Sequence, residues 1–159
     1  MDKKAKIVPA NSTEKVSLYT LVFENEDLPE FVKFTVKFKE NSELRKDYEL
    51  IIRAITKIME YGALERYFRP EGKFNDGVGA LPVDSSKLRL YCLRVSDKIL
   101  FLGNGGEKHS RTYNENPELN GYVMDLQKFS SLLQNAIKEG NIVIEENSLK
   151  GYEDITFEL

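Results

Sequence analysis

KLRLYCLRVSDKILFLGNGGEKHSRTY, residues Lys87–Tyr113, is the stretch that decides the fold. Leu88, Leu90 and Cys92 alternate with Arg89, Tyr91 and Leu93. That period of two presents one apolar set to a core and a second set to the opposite face. Ser96 and Asp97 are turn formers, and Ile99–Leu102 returns as a short apolar strand, so the segment predicts a β-hairpin. Gly103, Gly105 and Gly106 are expected to end the pairing. Lys108, His109, Arg111 and Tyr113 follow at once, and cations with a phenol just past a strand end form a candidate anion or RNA site.

Upstream of the hairpin, residues 70–86 contain three glycines and two prolines and read as a long irregular connection of the kind that carries function. Neither GxxxxGK[ST] nor GxGxxG occurs, so its glycines do not announce a phosphate cradle. Before it, Leu44, Tyr48, Ile51, Ile52, Ile55, Ile58 and Met59 recur at spacings of three and four, capped by Asn41 or Ser42 and stopped by Gly62. A shorter helical piece is expected over 63–68, with Arg66 and Arg69 within one turn of each other. FVKFTVKFK, residues 31–39, sets Phe34, Val36 and Phe38 against Lys33, Thr35, Lys37 and Lys39. The alternation predicts a half-buried strand whose lysines are either a phosphate-binding stripe or a solubilising edge face. VSLYTLVFE, residues 16–24, predicts another strand, Asn25–Pro29 a turn, and residues 1–12 a flexible arm.

Downstream, Asn114–Pro117 opens a second helix whose apolar stripe runs through Leu119, Tyr122, Val123, Leu126, Phe129, Leu133, Ala136 and Ile137 to a stop at Gly140. NIVIEE and DITFEL are strand-like runs, read as a hairpin or a pair of edge additions. The fold class predicted is α+β: an antiparallel sheet packed against two main helices, with an extra N-terminal strand and a C-terminal β-hairpin. One domain is expected over residues 13–159.

With 159 residues, 41% hydrophobic and 31% charged, the chain supports one core rather than two. One cysteine and no tryptophan exclude an internal disulfide framework and a cysteine-rich zinc site, and Cys92, mid-strand, reads as a buried inert thiol. The charged N-terminus has no apolar run behind it and no stretch is long enough to span a membrane, so a cytoplasmic protein is expected. The net charge of −3 is unevenly spread. Residues 62–113 hold nine Lys/Arg against six Asp/Glu, a net of +3, whereas residues 114–159 hold three against nine, a net of −6. An acidic total argues against a nonspecific nucleic-acid binder and leaves room for a local basic groove.

His109 is the one histidine, which excludes a His-rich metal site and an HExxH helix; no metal or cofactor is expected. Beside Lys108 and Arg111 it suits proton transfer at a phosphodiester, with cations stabilising charge on the phosphate oxygens. RNA brings its own nucleophile, the 2′-OH. Arg89 points with Tyr91 and is a candidate phosphate clamp. The competing reading is a solvated basic loop. Glu145 with Glu146 and Glu153 with Asp154 fall in the acidic tail and read as a solvated face.

In element order, and in FVKFTVKF, the helix ending IMEYG, KLRLYCLR, ILFLGNGG, EKHSRTY and NPELNGYVMDLQKF, the chain resembles the RelE/ParE superfamily of toxin–antitoxin toxins, most nearly its HigB-like branch. The resemblance covers about residues 30–140. It implies a small antiparallel sheet packed on helices and ribosome-dependent cleavage of mRNA by basic and aromatic groups, without metal. Arg89 matches the arginine of the family's yRvlY strand. Lys108 matches its lysine segment, with His109, Arg111 and Tyr113 as neighbours, and Arg69 and Lys73 match its basic loop. Arg66 and Lys87 complete the candidate RNA-binding set. The chain departs from the family in being longer and net negative, and in carrying GVGALPVDSS where the family has an ELR segment. The resemblance implies an endoribonuclease toxin in which Lys108 and Arg89 hold phosphate, Arg111 stabilises the transition state and His109 or Tyr113 exchanges the proton, with a neutralising antitoxin and mRNA or the ribosome as partners. The alternative is a non-catalytic module that binds a protein, such as a helix-turn-helix regulator, through its apolar and acidic C-terminal portion.

Overall fold

A computed structural model describes residues 3–71, 76–84, 86–108 and 116–159. Its elements are β1 (Lys4–Ser12), β2 (Ser17–Phe23), α1 (Glu30–Phe38), α2 (Arg45–Tyr61), a single 3₁₀ turn (Glu65–Tyr67), β3 (Arg69–Pro70), β4 (Val78–Leu81), β5 (Leu88–Ser96), β6 (Ile99–Glu107), α3 (Pro117–Lys138), β7 (Val143–Glu145), β8 (Ser148–Lys150) and β9 (Phe157–Glu158). The fold is α+β. Seven strands form one sheet in the order β3-β4-β5-β6-β2-β1-β9, and β7–β8 make a separate hairpin. Both sheet faces are covered. Leu18, Leu90, Cys92 and Leu100 pack with Phe34, Ile51, Ile55 and Ile58 on one face. Tyr19, Tyr91, Leu93 and Phe101 pack with Val123, Leu126, Phe129 and the C-terminal segment on the other. The double apolar alternation read in residues 88–93 is thus a strand buried on both sides.

Several expectations are corrected. The sheet is mixed rather than antiparallel, because β2 and β6 run parallel through Ser17↔Ile99, Leu18↔Leu100 and Tyr19↔Phe101. Three main helices are present rather than two, because residues 31–38, expected as a strand, are the body of α1. The same residues that alternate also place Phe31, Phe34 and Phe38 at i, i+3 and i+7. Phe34 is buried, with its ring 5.2 Å from that of Phe38 and 6.1 Å from that of Tyr48. Val36, which a strand would bury beside Phe34, is 67% exposed. The helix wins because the pairing of β2 with β6 stops after three residues and α1 fills the gap: the Phe31 amide donates to Thr20 Oγ1 (3.2 Å) and Asn104 Nδ2 to Glu30 Oε1 (3.4 Å).

The flexible arm expected over residues 1–12 is, from Lys4, strand β1. It pairs with β2 from Ala5↔Phe23 to Ser12↔Ser17 and with β9 at Lys4 and Ala5, burying Ala5 and Ile7. A further correction is at GNGG. Its glycines do not end the pairing; they permit it, since a Cβ on Gly105 would lie 1.9 Å from Arg89 O and one on Gly103 2.8 Å from Tyr91 O. A register shift opposite Leu90–Cys92 accommodates the extra residue.

Residues 70–86, expected as a long irregular connection, instead carry β4, a buried strand paired with β3 and β5. The helix-end readings hold. Gly62 follows α2 at φ +101 and Gly140 follows α3 at φ +83, in the left-handed region that favours glycine. Asn116 caps α3 by accepting from the amides of Glu118 and Leu119, with Pro117 in its first turn. The tail differs from its expectation: Val143–Glu145 of NIVIEE pairs with Ser148–Lys150, inside the stretch read as the connection, and Phe157–Glu158 of DITFEL pairs with β1 rather than with NIVIEE. Among the described residues no helix is long and apolar enough to cross a membrane.

The helical assignment of residues 30–38 predicts that Phe34→Ala costs about 3–5 kcal/mol, whereas Val36→Lys changes stability by less than about 0.5 kcal/mol. Chemical denaturation of both variants decides it, because a strand would make them similarly damaging. Gly105→Ala is expected to cost about 3 kcal/mol or more by forcing β6 off β5, lowering Tm by roughly 6–12 °C. Gly121→Ala, with nothing within 4 Å of its added methyl, is expected to raise Tm.

Candidate functional site

Residues paired across antiparallel strands share a sheet face, so the register Arg69↔Ala80↔Tyr91 puts Arg69 and Tyr91 on one side of the sheet. Arg89, two residues before Tyr91, and Glu71, two after Arg69, fall on that same side. It is the side that α3 packs on: Leu119 approaches Gly106, which pairs with Arg89, Leu126 approaches Gly103, and Gln127 and Ser130 reach Asp76. Lys108 arrives at the corner because its amide donates to Lys87 O (2.6 Å), extending the β5–β6 ladder by one residue.

Arg89 and Lys108, expected as catalytic, and Arg69, expected as RNA-binding, all act electrostatically on the Glu71 carboxyl. Burial pushes the Glu71 carboxyl above its ordinary value, and the opposing pull of Lys108, Arg69 and Arg89 offsets only part of that. Arg89 is not the exposed clamp that strand alternation suggests. It is 3% exposed, and its Nη1 donates to Ser86 O (2.9 Å) and Leu88 O (3.3 Å). Its Nε is buried with no hydrogen-bond partner among the described residues. Burial lowers its pKa and Arg69 adds to the effect, while Glu71, Tyr91 and Asp47 act against it. Tyr91 is fully buried beneath this corner.

The other candidates do not join. Arg66 lies over the Tyr67 ring, 5.3 Å from its centroid. Lys87 is exposed and contributes through its backbone, its amide donating to Asp47 Oδ1 (3.0 Å). Lys73, His109, Arg111 and Tyr113 lie outside the described residues. The lysine stripe expected on residues 33–39 is dispersed by the helix: Lys33 pairs with Glu26 and Glu30, Lys37 turns toward β6 and α3, and Lys39 is exposed. Cys92 is buried and burial pushes its thiol far up, as an inert core thiol requires. Among the described residues no three His, Cys, Asp or Glu side chains converge as metal ligands.

The residue missed in the sequence is Glu71. It stands in an irregular PEG run, and the cations around it come from positions 69, 89 and 108, which only the strand pairing brings together. A cleft of about 600 Å³ sits at the far edge of the sheet, lined by Lys4, Lys6, Glu24, Glu26 and Glu158 among others. Its mixed charges recognise no single ligand sign, so the corner is the better candidate. No family model matches this chain, and neither a curated protein nor a solved structure shows a significant match to it.

Glu71 supplies a pH prediction. Its folded pKa lies above the ordinary 4.5, so the wild type keeps the full contribution of this carboxyl below that value and loses it as pH rises through the folded value. Glu71→Gln removes the loss. The variant is expected to melt above wild type at neutral pH, with the difference closing as pH falls through about 4.5; thermal melts of both proteins across that range check it.

Proposed function

We propose that the chain is a RelE-like, metal-independent endoribonuclease acting on mRNA, with its site at the Arg69–Glu71–Arg89–Lys108 corner. The observation that carries this reading is a half-buried carboxyl whose pKa burial raises and which feels the charge of three cations, Lys108, Arg69 and Arg89. A half-buried carboxylate whose proton affinity is raised by burial is suited to take a proton, and the cations are suited to the phosphate oxygens on which negative charge builds up. In the proposed step Glu71 takes the proton of a 2′-OH as its oxygen attacks the adjacent phosphorus. The bond from phosphorus to the 5′-oxygen breaks, leaving a 2′,3′-cyclic phosphate, and the departing oxygen is protonated by His109 or by water. Lys108 and Arg69 hold the phosphate, and Arg89 takes up the charge of the pentacoordinate transition state from below.

A second reading has its own support. Leu50 and Val83 stand exposed in an apolar groove of about 220 Å³ between α2 and the β4–β5 connection, and Val143 and Ile144 are exposed beside Glu145 and Glu146 on β7. Such patches suit a module that binds another protein, an antitoxin or a helix-turn-helix regulator.

The test is incubation of the purified chain with 5′-labelled mRNA, free and on translating ribosomes, with EDTA present throughout. Cleavage to 2′,3′-cyclic ends is expected, slowed about 100-fold or more in Glu71→Gln and in Lys108→Ala. A folded wild-type chain that leaves both substrates intact would sink the nuclease reading in favour of the binding module.

A further inference from the structure

We propose that Lys37 of α1 is a positioning residue that clamps β6 to the first turn of α3 and thereby sets the place of Arg89 in the charged corner; its catalytic consequence rests on the nuclease reading above. The side chain leaves α1 and meets two other elements. Its Nζ donates to Gly105 O on β6 (2.9 Å) and to Tyr122 OH on α3 (3.2 Å), and stands 3.6 Å from Glu118 Oε1. Tyr122 OH in turn donates to the same Glu118 oxygen (2.8 Å), closing the network. The rings of Phe38 and Tyr122 flank the ammonium at 5.4 and 5.2 Å from their centroids. Burial opposes the charge, which Glu118 helps retain.

What Lys37 grips matters because of Gly105. At that residue β6 passes so close to Arg89 O that not even a methyl fits between them. The amide of Gly105 is held as well, donating to Asn104 Oδ1 (2.8 Å). A carbonyl pinned by an ammonium on one side and a backbone in van der Waals contact with Arg89 on the other leaves Arg89 little room to drift. The second grip, on Glu118 and Tyr122, fixes the start of α3. Lys37 therefore acts on the site through Gly105 and does not touch it.

Three proteins test the clamp: wild type, Lys37→Met, which keeps the stem and loses every donor, and Lys37→Arg, which keeps charge and donors. For mRNA cleavage, Lys37→Met is expected to lose about 100-fold in kcat with KM little changed, and Lys37→Arg to recover most of it. Hydrogen exchange supplies a readout independent of activity. Amides of residues 105–108 and 118–122 are expected to exchange about tenfold faster in Lys37→Met, with α2 and β1 unchanged and Lys37→Arg close to wild type. Unchanged exchange at those amides, or acceleration spread evenly over the chain, overturns the clamp. A wild type that cleaves no RNA removes the nuclease reading alone, since the exchange pattern still decides whether Lys37 holds β6 and α3 together.

Discussion

The contact on which the charged corner depends is the passage of one backbone against another at Gly105 and Arg89. A strand pair ordinarily leaves room for a Cβ at every position; here β6 gives up that room to carry an extra residue past β5. The gain is positional. Gly106 comes opposite Arg89 and Glu107 opposite Leu88, so that Lys108 arrives beside Lys87 and the cations of three strands meet around one carboxyl. Without glycine at 105 the ladder would slip, and a one-residue slip would turn every side chain beyond it to the other face.

The second constraint is the short parallel contact between β2 and β6. Three residue pairs are enough to join the two antiparallel halves of the sheet, β3-β4-β5-β6 and β2-β1-β9, but not to close it. α1 lies in the opening, tied to β2 through Thr20 and to β6 through Asn104. From that position one of its lysines spans to α3, which ties both covered faces of the sheet to one helix.

How much of this was legible follows from how local each signal is. The β5 alternation, the α2 and α3 stripes and the glycines after both helices depend on neighbours within a few residues, and they read correctly. FVKFTVKFK fits a period of two and a period near 3.6 alike; the vacancy that favours the helix is created by strands 10 and 70 residues away. Residues 4–12 have no local pattern beyond Ala5 and Ile7, because β9 covers β1 only at Lys4 and Ala5 and, apart from half-buried Val8, its remaining residues face solvent. Glycines at 103–106 look like a stop, since sequence cannot tell a glycine that ends a strand from one that lets two strands touch. Glu71 carries no signal of its own, because its raised pKa is a property of the assembled corner.

Arg89 bears on whether the corner is structural or functional. Burying a guanidinium beside a second arginine, with Nε unmatched among the described groups, opposes folding, and an apolar side chain of similar size would serve the core at least as well. Local rules broken at a cost, with no gain in packing, concentrate where a protein binds or reacts. A partner that offsets this cost must bring negative charge and must reach a site floored by Tyr91 and rimmed by Lys108 and Arg69. Glu71 offsets part of it, yet burial works against its own ionisation, so the corner remains short of anionic charge whenever Glu71 is protonated. A phosphodiester keeps its charge at any pH where the protein is folded. It meets the requirement that the resident carboxyl meets only in part, which supports the proposal of an RNA backbone at this corner over a neutral ligand.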